Sequence, residues 1–221
     1  MNFKGRVMSF FLFSLVILLS SCATTLTRVN VSAPKDFELR NMPVDKKIPL
    51  RAALYVDPKI KTYEYVGQPI FEPGKVFLGD AITSACERTL KNVFDEVIIL
   101  DSVSNEAWSG RVDVLIRAET IKMVLLNKPK KNGAFFYNVF QTSMKWNILN
   151  PQNSKLYTNV IVSEEEQKPV SCFPITTSCL EEGMRNYLLA PLREQFQKTQ
   201  DEIYSSGWWK EYVAEAKETK K

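Results

Sequence analysis

Four cysteines and no histidine set the chemistry open to this 221-residue chain. Without histidine there is no Ser-His-Asp triad, no Cys-His pair, no usual general base near neutral pH, and little prospect of a catalytic zinc site. No Gly-x-Gly-x-x-Gly or Walker loop is present to cradle phosphate. Carboxylates cluster at Glu164–Glu165–Glu166 and Glu181–Glu182. Neighbours on a strand point to opposite faces, so these clusters make a poor acid/base pair and read as solvated edges. A histidine-free hydrolase working through carboxylates is the remaining catalytic alternative; the chain is otherwise read as not an enzyme. Three thiols, Cys86, Cys172 and Cys179, lack the spacing and the fourth ligand of a zinc site, so no metal is expected. Cys172 and Cys179 bracket Phe-Pro-Ile-Thr-Thr-Ser and form a candidate disulfide, worth roughly 2.5 kcal/mol for so short a loop. Cys86 falls at the edge of a helix's apolar face and reads as a free buried thiol.

Cys22 differs from the other three in what precedes it. After Lys4 and Arg6, the run Val7 to Leu19 is apolar apart from Ser9 and Ser14, and Ser20-Ser21-Cys22-Ala23 follows. At helical rise that run spans roughly 20 Å, short of the ~30 Å hydrocarbon core. A basic start, a short apolar stretch and small residues make a secretory signal. Leu19-Ser20-Ser21-Cys22 resembles the lipobox of bacterial lipoproteins. That resemblance implies cleavage before Cys22, a diacylglycerol on its sulfur and an acyl chain such as palmitate on the new amine, with no other cofactor. More than one chain is needed because a single acyl chain holds a protein only reversibly. Ala23 stands where an aspartate would resemble an inner-membrane retention signal, so the resemblance points to the outer membrane, with the body facing the periplasm.

Removing residues 1–21 leaves 200 of the 221 residues and takes Lys4 and Arg6 with it, so the net charge of +4 falls to +2. That is one domain of nearly balanced charge, without the basic field or motifs of a nucleic-acid binder. The expected organisation is a signal peptide at 1–21, a lipidated tether at 22–49, one α+β domain at 50–206, and a short helix with a charged tail at 207–221. A flexible 27-residue tether (23–49) would span about 30 Å. Leu26, Val29, Val31 and Phe37 alternatively let it lie along the body.

Within the body, Pro49 to Val56 reads as a strand that Asp57-Pro58 stops, and Lys61–Val66 as a second extended piece. Leu78, Ala81, Ile82, Ala85, Thr89 and Val93 share one helical arc, predicting an amphipathic helix over 76–94. Glu96–Leu100 reads as a buried strand. Residues 111–165 read as a three-strand meander, broken by Lys128–Gly133 and Asn150–Ser154. In it Phe136, Phe140, Met144, Trp146 and Ile148 share one parity, and Leu156, Val160 and Val162 continue a third long strand. Ser178 with Glu181 fits a capping box opening a helix that runs to about Tyr204, which Pro191 either interrupts or divides by starting its second half. The fold class is therefore α+β: a mixed or antiparallel sheet with a long three-strand meander and two main helices packed on it.

Two surface patches are candidate interfaces. Lys128, Lys130 and Lys131 concentrate charge at a hairpin tip beside Phe135 and Phe136, suited to an acidic headgroup or an acidic protein face, or simply to a soluble turn. Trp208 and Trp209 suit a partner or membrane interface, or a cap on the core. The lipobox, the helix feeding "DEVIIL", and "GRVDVLIRAETIKMV" followed by "NILNPQNSKLY" together resemble the small LptE-like and YajG-like envelope lipoproteins and the periplasmic domain of CsgG-type lipoproteins. The resemblance implies a non-catalytic protein held in the membrane by its lipid and binding another envelope protein in assembly or transport. The alternative it implies is a subunit of an oligomeric secretion pore or surface ring.

Overall fold

The structure is a computed structural model that describes residues 30–32, 39–41, 46–66, 75–102, 111–129, 136–150, 156–166 and 177–218. In chain order the elements are β1 (Asn30–Ser32), β2 (Ile48–Val56), α1 (Pro58–Lys61), β3 (Glu64–Val66), β4 (Lys75–Phe77), α2 (Gly79–Val93), β5 (Phe94–Leu100), β6 (Val114–Pro129), β7 (Phe136–Leu149), β8 (Leu156–Glu166), α3 (Thr177–Ser205) and α4 (Trp209–Glu218). The main sheet has the order β5-β2-β6-β7-β8 and a smaller one the order β1-β4-β3. β2 is parallel to β5 and β6, whereas β6, β7 and β8 run antiparallel in turn, so the main sheet is mixed and the meander is real. Helices α2 and α3 pack against each other and over one face of this sheet. The fold is α+β.

β2 is central, and its sequence shows it: Ala52, Leu54 and Val56 are buried toward the helices while Ala53 is buried on the other face. A strand covered on both sides has little use for polar residues. β7 obeys the predicted parity, with Phe140, Met144, Trp146 and Ile148 all in the main core. Thr142, which interrupts that apolar row in the sequence, is also fully buried, and its hydroxyl donates to Gln195 Oε1 at 2.9 Å. Gln195 Nε2 in turn donates to the Ile161 carbonyl at 3.0 Å, so one α3 side chain clamps β7 and β8 together.

Several boundaries differ from the sequence reading, each for a local reason. Lys61 does not begin an extended piece: Asp57 accepts from the Lys59 amide at 2.9 Å and Pro58 sits at the first helical position, so the strand stop is also the start of α1. The long helix begins at Gly79 rather than residue 76, because Val76 and Phe77 are taken into β4 opposite Tyr65 and Glu64. A Cβ on Gly79 would sit 1.9 Å from the Lys61 carbonyl oxygen, and this close approach requires glycine. β5 is an outermost strand and not a buried one: Ile98 is half-buried and Ile99 is 40% exposed.

β6 shifts register between Ala118 and Thr120. Val114, Ile116 and Ala118 face the helices before that bulge, and Ile121, Met123 and Leu125 after it. Pro191 does not interrupt α3, which runs through it from 177 to 205 with Leu188, Leu192, Phe196 and Ile203 in the core. Packing on both sides of the proline offsets its missing hydrogen bond. The capping-box side chains, Ser178 and Glu181, lie outside the residues whose side chains are described. Gly207, at φ +71°, ends α3 in the left-handed conformation that frees the chain to turn into α4.

The third strand of the meander, β8, takes its facing from its pairing. Its pairing with β7 sets Ile161 opposite Met144 and Tyr157 opposite Ile148, so the odd residues face the helices. Leu156, Val160 and Val162 therefore lie on the far face, 57%, 55% and 47% exposed. Of the segment 22–49 assigned to the tether, residues 30–32 form β1 and pair with β4, Leu39 packs against the core, and β2 already begins at Ile48. Among the described residues no helix is long and apolar enough to cross a membrane.

Candidate functional site

The sequence patches do not converge. Lys128 stands near the end of β6 opposite Tyr137, whereas Trp208 packs on Tyr157, which pairs with Ile148. Eleven residue steps along β7, from Tyr137 to Ile148, separate those two levels, roughly 37 Å of extended chain. Lys128 Nζ lies 2.5 Å from Glu164 Oε2, and Gln141 Nε2 donates to Glu164 Oε1 at 2.8 Å. The Lys128 contact first, and then Gln141, hold the Glu164 carboxyl below its usual range. The described end of the basic hairpin is thus charge-paired. Lys130, Lys131 and Phe135 lie outside the described residues, and of Phe136 only the backbone is described.

Trp208 and Trp209 are partly buried against the main core. Trp208 contacts Phe94, Tyr157 and Tyr212, with the Tyr212 ring 5.2 Å away and edge-on. Trp209 Nε1 donates to the Tyr204 carbonyl at 3.0 Å, and the Lys210 ammonium lies 5.8 Å from the Trp209 ring. A cleft of about 220 Å³ lies beneath Trp208, lined by Trp146, Ile148, Tyr157, Ile161 and Ile203 among others. It falls below the ~300 Å³ at which small-molecule sites usually begin.

Cys86 is buried on α2 as a free thiol, and burial pushes its pKa up, which leaves it unreactive. Cys22 and Cys172 lie outside the described residues, as does the side chain of Cys179; the anchor and the disulfide therefore fall there too. Among the described residues no three His, Cys, Asp or Glu side chains group as metal ligands.

What the structure adds is a surface, on the sheet face turned away from the helices. One row crosses all five strands in register: Ile98, Ala53, Leu115, Leu149 and Leu156. Its β2 and β6 members are buried in a small second cluster with Leu100 and Val112, while Leu156 is open. Beside this row runs a polar network through three strands. Glu119 accepts from Lys145 Nζ at 2.7 Å and from Asn147 Nδ2, and Thr158 Oγ1 donates to Asn147 Oδ1 at 2.8 Å. The Arg117 guanidinium lies 5.8 Å from the Tyr55 ring on the same face. Val160 and Val162 then stand exposed next to Lys145 and Ser143. Exposed aliphatic side chains thus stand interleaved with polar groups that bond one another.

On the opposite side, Leu39, Asn41, Arg88, Lys91 and Asn92 line an open groove of about 350 Å³, and Lys47 Nζ reaches the Lys91 carbonyl at 2.8 Å. Sequence reasoning missed both features. Only the aliphatic residues of β8 signalled the first, and the sequence does not say which face they take.

The fold defines a layered α+β protein with two helices on one side of a mixed sheet. Solved structures similar to it include the rare lipoprotein B of Shewanella oneidensis, at 14% identity over 75% of this chain and 98% of that one, with a TM-score of 0.40. The hypothetical protein CT253 of Chlamydia trachomatis matches at 9% identity over 72% and 99%, with a TM-score of 0.40. The PelC dodecamer of Paraburkholderia phytofirmans matches at 12% identity over 69% and 91%, with a TM-score of 0.32. These likenesses are too distant to carry a function across. No family model matches the chain, and no curated protein matches it.

Proposed function

We propose that this chain is a lipid-anchored protein of the bacterial envelope, held in the outer membrane through acylated Cys22 with its body in the periplasm, and that it works by binding an envelope protein rather than by catalysing a reaction. The anchor rests on Leu19-Ser20-Ser21-Cys22 after a short apolar run. The binding role is carried by the sheet face that none of the described helices covers, where Leu156, Val160 and Val162 stay exposed beside the Glu119–Lys145–Asn147 network. Arg88, Lys91 and Lys47 lie near Leu39 and Asn41, and cations there suit a body held close to anionic headgroups.

A photo-crosslinking residue in place of exposed Lys122, on the same sheet face, tests the binding role in intact cells. It should give one reproducible adduct with an envelope protein, and the same residue at Lys91, on the helical side, should not. Equal adducts from both positions, or none from Lys122, contradict the assignment of the surface.

A further inference from the structure

Aromatic residues from three separate elements line the cleft beneath Trp208: Trp146 from β7, Tyr157 from β8, and Trp208 itself from the turn between α3 and α4. Trp146 is 1% exposed, and Ile148, Ile161 and Ile203, all buried, complete the apolar lining. Tyr157 and Trp208 are only partly buried, with ring centroids 6.2 Å apart and planes 33° from parallel. The Tyr212 ring, edge-on at 5.2 Å, holds Trp208 in place. The described lining residues include no lysine or arginine, and the one charged residue among them is Glu202 of α3. Glu202 Oε1 accepts a long hydrogen bond from Asn159 Nδ2 at 3.4 Å, and no described cation pairs with it. The Tyr157 hydroxyl donates to Glu211 Oε2, also at 3.4 Å, so a second carboxylate stands beside the same rings.

This lining selects a ligand by charge. An aromatic ring is negative over its faces, and a cation placed there is attracted more strongly as water is excluded. A phosphate or carboxylate entering the cleft would meet Glu202. A wholly apolar ligand would strip water from that carboxylate and offer it nothing in return. An alkylammonium group satisfies both parts of the lining, because its methyl or methylene surface suits the rings while its charge suits the carboxylate. At about 220 Å³ the cleft excludes a drug-sized molecule and suits a compact head group. We infer that it binds the alkylammonium group of a small ligand, with the alkyl surface against Trp146, Tyr157 and Trp208 and the charge toward Glu202. This inference needs neither the lipid anchor nor the envelope partner.

Isothermal titration calorimetry of the full chain in a non-ionic detergent, with choline chloride as the probe, tests it. Choline should bind saturably, and its uncharged isostere, in which carbon replaces the ammonium nitrogen, should bind about tenfold more weakly or worse. Glycerophosphocholine separates the two sources of such a group: binding tighter than choline assigns a lipid head group, and binding no tighter assigns a soluble amine. Glu202→Gln, at an exposed side chain, should keep the native circular dichroism spectrum and weaken choline about threefold or more. Trp208→Leu should weaken it about tenfold or more. No saturable binding of either cation, equal binding of the uncharged isostere, or folded Glu202→Gln and Trp208→Leu variants that both bind choline as the parent does each overturns the inference.

Discussion

Replacing Gln195 with methionine is the sharpest test of how the helical layer is locked to the sheet. Gln195 is fully buried on α3; it accepts from the Thr142 hydroxyl at 2.9 Å and donates to the Ile161 carbonyl at 3.0 Å. Methionine keeps the length and most of the volume, so no cavity term enters. It leaves a hydroxyl on β7 and a carbonyl on β8 buried without this partner, each costing about 1–3 kcal/mol. The expected loss is therefore roughly 2–6 kcal/mol, a fall in midpoint temperature of about 4–24 °C for a chain of this size. Adding Thr142→Val removes one of the two orphaned groups, so the double variant should recover about 1 kcal/mol rather than lose more. Urea unfolding of the full chain, followed by tryptophan fluorescence, measures both. A Gln195→Met variant within about 0.5 kcal/mol of the parent, or losses that simply add in the double variant, would refute the clamp.

Gly79→Ala should lower stability by about 2–3 kcal/mol, since its Cβ would lie 1.9 Å from the Lys61 carbonyl oxygen and α1 must move; an unchanged urea midpoint contradicts this contact. Gly207→Ala, at φ +71°, should cost about 1 kcal/mol, and an increase in stability would show that α3 ends differently. Cys86 should resist alkylation at mildly alkaline pH in the native chain and react fully in guanidinium, as followed by mass mapping; rapid native labelling would place it elsewhere. The Glu164 carboxyl titrates below the ordinary range, so its small contribution to folding is present above the unfolded pKa and is lost as pH falls through the lowered folded value. Lys128→Ala should move that titration upward in a carboxyl-carbon NMR experiment, and an unmoved midpoint would remove Lys128 as the main cause.

The parity of β7 and the arc of α2 could be read directly because each presents a single apolar face to one layer. β8 could not be read so, because both its parities hold apolar side chains: Leu156, Val160 and Val162 on one, Tyr157 and Ile161 on the other. Pairing with β7 decides between them, and that is a long-range fact. The bulge after Ala118 swaps the faces of β6 midway, a change that strict alternation hides. Local preference makes Pro191 an interruption or a fresh helix start, yet α3 runs through it, with Leu188 and Leu192 on either side in the core. The two tryptophans near the end were visible as aromatic, but their partners Phe94, Tyr157 and Tyr204 are distant or ordinary in sequence. The polar network of Glu119, Lys145, Asn147 and Thr158 draws on three strands and has no local signature.

Membrane attachment through one sulfur is the claim on which the cellular role depends, and Cys22→Ser tests it most directly. Fractionation of cells, with intact mass measurement of the recovered chain, should find the wild type cleaved before residue 22 and carrying acyl mass in the membrane fraction. The serine variant should keep its leader and carry no acyl mass. A serine variant that is cleaved at the same bond and sediments with membranes as the wild type does would contradict the account.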